Sequence, residues 1–317
     1  MSVMSDKNRE KEGITQRKKI EKYFEPLSDR TYAEAKPYKR EWEKVLGIIA
    51  PVIIYVLYVT FLSAIAGEAL NHAADKSEES AKFISANKVT INAWIRAVVI
   101  VLATLMQIPS LAAEKIVLTG SKSGISKSDK GRDKAEGGAE GTVYIKRIIY
   151  TVILGATMAL SLNILISMSG IMRLSKGYEA IADRQFGLAL LPGIILYGII
   201  SPVAEEVVFR GIIYNRIRRC AGLYPALILS AVMFGVYHNN IVQGIYGLLM
   251  GLVIAWVYER YGGFLYPCFM HSAANIFIYA ISSTNGGFAK AKTPVILLIT
   301  SVIAILTLYK MATENKS

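Results

Sequence analysis

The feature that most constrains this chain is a series of long apolar segments. Hydrophobic residues make up 53% of the 317-residue sequence, and the mean hydropathy is +0.39, whereas soluble domains are about 45–50% apolar. A helix needs about 20 mainly apolar residues to cross the hydrocarbon core of a bilayer. The sequence therefore predicts an all-α fold, a polytopic transmembrane helix bundle with about eight spans.

The apolar segments also divide the chain into parts. The predicted spans are Val45–Ala66, Ala93–Ala113, Ile148–Met172, Leu188–Val208, Leu223–Ile241, Gly244–Tyr258, Phe264–Ser282 and Pro294–Tyr309. We distinguish a basic N-terminal arm, a three-span region, a core that carries polar side chains, and a last span with a short tail. These parts are residues 1–44, 45–187, 188–282 and 283–317. Within the second part, residues 120–141 are rich in Gly, Ser and Lys, which predicts a flexible cytoplasmic loop.

The formal net charge of +12 is unevenly distributed. Lys and Arg cluster before the first span, between the second and third spans, and after the fourth. Loops rich in Lys and Arg stay on the cytoplasmic side, so we expect a multi-pass plasma-membrane protein with both termini in the cytoplasm. The same residues attract anionic lipid. A nucleic-acid partner is not expected, because no aromatic–basic platform accompanies the charge.

Ionisable side chains interrupt three apolar segments of the core. An ionisable group inside a membrane helix is costly, so it persists where it is paired or used. One such pair or one histidine is more often structural, but three sets in separate segments favour a shared functional site. The three sets are Glu205-Glu206-Val-Val-Phe-Arg210, Phe234-Gly-Val-Tyr-His238 and His271-Ser-Ala-Ala-Asn275.

The spacing gives the two adjacent glutamates different environments. Glu206 and Arg210 lie four residues apart, so on a helix they stack on one face and pair. Glu205 points about 100° away and is left free to act as a general base. Pro202 is expected to kink the same helix just before the glutamates and to free backbone carbonyls.

Together these groups can add water to a carbonyl. Glu205 would activate the water, His238 would orient it, and His271 and Asn275 would donate to the developing oxyanion. Glu205, His238 and His271 also form a ligand set suited to a first-row metal ion, most readily Zn²⁺. Counting about 1.5 Å per residue places His238 up to about 10 Å from the level of the other two. Either its helix starts below the membrane, or His238 lies deeper than its partners.

The order of these motifs resembles that of the CAAX protease and bacteriocin-processing (CPBP) family of intramembrane proteases, over residues 188–281. The resemblance implies an endopeptidase that cuts near the carboxyl end of membrane-associated substrates, such as prenylated CAAX proteins. It leaves open a zinc ion or a metal-free glutamate mechanism. By motif position it implies the catalytic residues Glu205, His238, His271 and Asn275, supported by Glu206 and Arg210.

We therefore expect an intramembrane endopeptidase that uses activated water directly, because no Ser or Cys lies beside a base as a nucleophile. Its partners would be the lipid bilayer and a membrane-associated protein or peptide substrate. One alternative is a non-catalytic scaffold or bacteriocin-immunity protein, against which an unpaired Glu205 argues. A further alternative is a proton-coupled transporter that uses the carboxylates as a relay, against which the lack of an internal repeat argues.

Overall fold

A computed structural model describes residues 40–119, 133–175, 177–284 and 286–314. The regular secondary structure in these ranges is entirely helical and contains no strand, so the all-α prediction is confirmed there. A short 3₁₀ turn, Ile171–Leu174, precedes the sixth helix. The helices are α1 (Glu41–Ala74), α2 (Glu78–Ala86), α3 (Lys88–Leu105), α4 (Ile108–Ala112), α5 (Asp133–Ser169), α6 (Tyr178–Phe186), α7 (Leu190–Ala221), α8 (Leu223–Tyr237), α9 (Ile241–Tyr261), α10 (Leu265–Ser282), α11 (Gly287–Ala291) and α12 (Pro294–Thr313).

The predicted spans fall on these helices. Six of the described helices, α1, α3, α5, α7, α9 and α12, are long and apolar enough to cross a membrane. The other two predicted spans fall on α8, an apolar helix of 15 residues, and on α10, whose 18 residues include polar side chains. The structure therefore agrees with a multi-pass bundle of about eight spans.

Three predicted boundaries are wrong, each for a local reason. The second span does not run unbroken to Ala113, because α3 ends at Leu105 and Pro109 lies in the first turn of the separate helix α4. Helix α7 continues to Ala221, well past the predicted end at Val208, and stops only at Gly222, whose φ is +87°.

The third wrong boundary lies in the core. Helix α8 ends at Tyr237 rather than at Ile241, because the chain turns at Asn239, whose φ is +49°. Helix α9 begins at Ile241, three residues before the predicted start of its span, and runs to Tyr261. His238 is thus the residue that ends α8 and not a residue inside a helix.

The basic arm and the flexible loop fall largely outside the described residues. Residues 1–39 and 120–132 belong to those two predictions and are not described. Helix α5 begins at Asp133, so residues 133–141 are helical and not part of a loop. Two alanines, two glutamates and a lysine of this stretch favour a helix, whereas its three glycines do not.

Helix α10 lies in the middle of the bundle and packs on α5 and on α7. Small residues allow these close approaches: a Cβ atom at Gly155 of α5 would lie 2.2 Å from the Met270 carbonyl oxygen of α10. Helices α8 and α9 pack in the same way, with Gly235 against Gly244. Helices α1 and α12 remain largely exposed apolar cylinders, as expected for surfaces that face lipid.

A loop from the N-terminal region joins two core helices at one end of the bundle. We call residues 113–118 the Glu114 loop. The buried carboxylate of Glu114 accepts hydrogen bonds from Arg216 Nε at 2.9 Å and from Arg219 Nη1, both on α7. The carbonyls of Val117 and Leu118 accept from the first backbone N–H groups of α10, at 2.8 and 3.0 Å. The loop thus satisfies a helix terminus and fixes α7 relative to α10.

We expect Glu114→Ala to lower the free energy of unfolding by about 3 kcal/mol, because removal of one partner leaves two largely buried arginines without their carboxylate. Thermal unfolding of the purified protein in detergent measures the effect. Glu78→Ala is the matched control: Glu78 pairs with Lys82 on the exposed helix α2, and an exposed pair contributes about 0.5 kcal/mol or less. Equal losses in the two variants would contradict the bracing role of Glu114.

Candidate active site

Helix α7 presents the two glutamates from a turn between two π-helical segments. The segments are Ile194–Ile200 and Val207–Tyr214, and Ser201–Glu206 is α-helical between them. The backbone N–H of Ser201 bonds to the carbonyl of Leu196, five residues back. Segments of π-helix are rare and often lie at functional sites.

Pro202 has a specific effect in this register. The next bond of the same kind would join the N–H of residue 202 to the carbonyl of Tyr197, but proline has no N–H. The side-chain Nδ2 of Asn275 donates to this carbonyl instead, at 3.0 Å. This bond agrees with the expectation that Pro202 leaves a backbone carbonyl free, and it anchors Asn275 of α10 to α7.

Glu206 and Arg210 form the predicted ion pair. Their closest atoms, Oε1 and Nη1, lie 3.0 Å apart, and neither side chain is exposed. Arg210 also donates from Nη2 to the carbonyl of Gly251 at 3.0 Å, and its Cζ lies 4.7 Å from the ring centroid of Phe234. Two buried charges are stable only when their partners are well placed, so this pair holds α7 against α8 and α9.

His271 is held by one glutamate and faces the other. Its Nδ1 lies 2.8 Å from Glu206 Oε1, and because the carboxylate accepts, Nδ1 donates. Its Nε2 lies 3.7 Å from Glu205 Oε2, which is beyond hydrogen-bond distance. The side chain of Glu205 is 14% exposed, while that of Glu206 is fully buried. A water molecule or substrate group can thus approach Glu205 and not Glu206.

His238 reaches the site from the turn after α8. Its Nδ1 lies 2.8 Å from the carbonyl of Phe234, so Nδ1 carries the proton and Nε2 keeps a lone pair. The Phe234 ring meets His238 edge-on at a centroid distance of 4.9 Å and His271 at 5.5 Å. One aromatic ring thus packs against both histidines.

The turn around His238 gives a role to two asparagines that the sequence left unassigned. Asn239 adopts a left-handed conformation, which asparagine tolerates better than most residues. Asn240 caps α9, since its Oδ1 accepts from the N–H groups of Val242 and Gln243 at 3.0 and 3.3 Å. Its Nδ2 donates to Ser175 Oγ at 2.6 Å. These bonds fix the turn and so the position of His238.

An aromatic wall borders the site, and its contacts join residues that are far apart in the sequence. Phe234 packs against Arg210 and both histidines. Tyr55 of α1 is buried and packs on Tyr237 at a centroid distance of 6.3 Å, and Tyr237 meets His238 edge-on at 5.6 Å. No sequence pattern links residues so far apart, so only the folded arrangement reveals them.

The predicted zinc ligands are not gathered into one set. In the described part of the chain, no three His, Cys, Asp or Glu side chains lie together as a metal site requires. Glu205 and His271 are neighbours, and both histidines pack edge-on against Phe234, but His238 is not grouped with the other two as a ligand set. The arrangement does not fit a three-ligand zinc ion, and zinc binding stays a prediction of the sequence.

Comparison with known proteins agrees with the motifs. Residues 187–277 match the family model described as Type II CAAX prenyl endopeptidase Rce1-like. We call residues 187–277 the Rce1-like segment; it covers less than a third of the chain. The Rce1-like segment contains all of the motif residues of α7, α8 and α10, so the resemblance seen in the sequence is confirmed. No solved structure matches the chain significantly.

Two curated bacterial proteins are similar to part of the chain. "Putative membrane peptidase YdiL" of Bacillus subtilis (strain 168) is 31% identical over 109 residues, 34% of this chain and 44% of that protein. "UPF0177 protein YxdF" of Lactococcus lactis subsp. lactis (strain IL1403) is 30% identical over 83 residues, 26% of this chain and 45% of that protein. The aligned part thus covers less than half the length of either relative.

The buried pair predicts a specific pattern of stability. We expect Arg210→Met to lower the free energy of unfolding by about 3–5 kcal/mol, because Glu206 is left charged and unpaired in the interior. The double variant Glu206→Gln/Arg210→Met removes both charges, so it should recover part of that loss. Thermal unfolding in detergent compares the two. A double variant less stable than Arg210→Met would contradict the pairing.

Proposed function

We propose that this protein is an intramembrane endopeptidase that hydrolyses a peptide bond of a membrane-associated substrate, CAAX-like or other. The observation that carries the proposal is the unequal environment of two adjacent carboxylates. Glu206 is fully buried and paired with Arg210, whereas Glu205 is partly exposed and lies 3.7 Å from His271. A general base must reach its water, and only Glu205 can. The Rce1-like segment and the name of the Bacillus subtilis relative support peptidase chemistry.

In the proposed first step, Glu205 removes a proton from water. The resulting hydroxide oxygen forms a bond to the carbonyl carbon of the scissile peptide, and the carbonyl π electrons move to its oxygen. His238 assists by accepting a hydrogen bond from the same water at Nε2, the nitrogen that its contact with Phe234 leaves unprotonated.

In the same step, His271 and Asn275 stabilise the oxyanion. Glu206 fixes the His271 ring through Nδ1, and in this role the ring also carries a proton on Nε2. Asn275 uses one Nδ2 hydrogen to bind the Tyr197 carbonyl, and its second hydrogen is available to the substrate. Donors that are already oriented lower the barrier because they need no reorganisation.

Collapse of the intermediate completes the reaction. The carbon–nitrogen bond breaks, and Glu205 returns its proton to the leaving nitrogen. The products are an amine and a carboxylic acid, and the acid then releases its proton to solvent to become a carboxylate. Glu205 thus acts first as base and then as acid, and regains its starting state. No step uses a metal ion, since the described side chains do not gather three ligands.

We expect Glu205→Gln to reduce cleavage by about a thousandfold, the middle of the range for loss of a general base. The measurement compares protein and peptide termini in membranes from cells that express the wild-type chain or the variant at equal levels. Termini that depend on Glu205 also identify the substrate.

Glu78→Gln serves as the control, because this glutamate lies on exposed helix α2 and pairs only with Lys82. It should leave the termini as in the wild type. Identical termini with and without Glu205, together with an unchanged cellular phenotype, would refute the protease and favour a scaffold. A transporter would be favoured if sealed vesicles with the wild-type chain showed uptake driven by a pH gradient, Glu205→Gln lost this uptake, and the termini did not change.

We also propose that the end of the bundle with Arg216 and Arg219 faces the cytoplasm, as the distribution of Lys and Arg requires. Cys220 is a natural probe, because it is exposed at this end, whereas Cys268 is buried. A membrane-impermeant maleimide should label Cys220 only after the cells are opened. Ser77→Cys, in the turn between α1 and α2, should be labelled in intact cells. The opposite pattern would reverse the orientation.

A further inference from the structure

A cleft lies beside the candidate site, between α6 and the helices α5, α9 and α10. It holds about 620 Å³ of empty space, counted to its open mouth. Its wall includes Asn275, so the cleft and the candidate site share a residue. The other polar groups of the wall are uncharged: they are Asn163, Tyr178, Gln185, Gln243 and Tyr246.

Helix α6 lies across this cleft and is tied at both ends to elements of the site. Before the helix, Ser175 Oγ accepts from Asn240 Nδ2 at 2.6 Å, two residues after His238. After the helix, the Leu188 carbonyl accepts from Tyr279 Oη at 2.9 Å, four residues after Asn275. The space below α6 is therefore held at a fixed position relative to the two motifs that would bind the reacting carbonyl.

The chemistry of the wall selects for one class of ligand. A side-chain amide donates and accepts, so it can pair with both the N–H and the C=O groups of an extended peptide. Among the described residues that line the cleft, none is charged, which gives no counter-charge for an ionised group. A lipid acyl chain would leave the amides without partners, and that is costly in an apolar setting.

We propose that this cleft binds an extended, uncharged peptide segment on one side of the scissile bond, with Gln185 and Gln243 bonded to its main chain. This inference rests on the proposed peptidase function. It deepens that function, because Asn275 at the wall of the cleft would mark where the bound segment meets the oxyanion site.

The experiment uses the full-length protein in detergent and a synthetic peptide that spans a cleavage site identified by its dependence on Glu205. We expect Gln243→Leu to raise KM about five- to tenfold, the effect of losing one hydrogen bond, while kcat changes less than twofold. Ala182→Phe places a ring into the cleft from α6 and should raise KM at least as much. Asp183→Phe is the matched control: residue 183 is exposed on the same helix, and its substitution should leave KM unchanged.

The outcomes distinguish failure of the peptidase function from failure of the cleft proposal alone. Termini that do not depend on Glu205 would overturn the peptidase function, and the cleft proposal with it. Glu205-dependent cleavage with KM unchanged in both Gln243→Leu and Ala182→Phe would overturn the cleft alone and indicate that lipid or detergent fills it. If Gln243→Leu unfolds, Ala182→Phe decides, because α6 lies at the edge of the bundle and its folding is checked by thermal unfolding. An equal rise in KM for Asp183→Phe would also overturn the cleft.

Discussion

The buried pair of Glu206 and Arg210 is the interaction on which the rest of the site depends. Arg210 binds the carboxylate on its own helix, the Gly251 carbonyl on α9 and the ring of Phe234 on α8. Glu206 adds His271 of α10. One pair of charges thus brings four helices to the same level. Because an unpaired charge in the interior costs several kcal/mol, any displacement of one helix is resisted by the electrostatics of the whole group.

The pair also explains how one sequence gives two neighbouring carboxylates different chemistry. Both glutamates sit on a single helical turn, but only one faces the cationic neighbours. The buried member orients His271, and the exposed member is left for water. A fixed carboxylate that orients a histidine and a second one that exchanges protons is a division of labour common in enzyme sites. Here it follows because two consecutive residues of a helix point about 100° apart around its axis.

The sequence predicted what depends on local periodicity. Apolar length indicated the helices, the spacing of four residues indicated the Glu206–Arg210 pair, and Pro202 indicated a carbonyl without its helical partner. The sequence could not predict contacts between distant segments, such as those of Phe234 with two histidines. Nor could it predict that α8 ends at Tyr237, since a left-handed residue after His238 carries no strong signal when it is not glycine.

Residues outside the Rce1-like segment also make contacts that support the site. The Glu114 loop binds the end of α7 and the start of α10, and Tyr55 of α1 packs on Tyr237, which lies against His238. The Rce1-like segment alone therefore lacks these further contacts, which fix the end of α7 to α10 and support the turn that carries His238. These contacts give the first spans a role that composition did not suggest.

The two π-helical segments of α7 make the site sensitive to length as well as to residue identity. Each π turn accommodates more residues than an α turn, so the direction of the glutamates is set by the number of residues before them. Loss of a single residue from Ile194–Ile200 would turn Glu205 by about 100° relative to α10. The span would remain long and apolar, and the motifs would remain intact. In descendants of this chain, a one-residue gap at this position would thus mark the loss of the site even where all six polar residues survive.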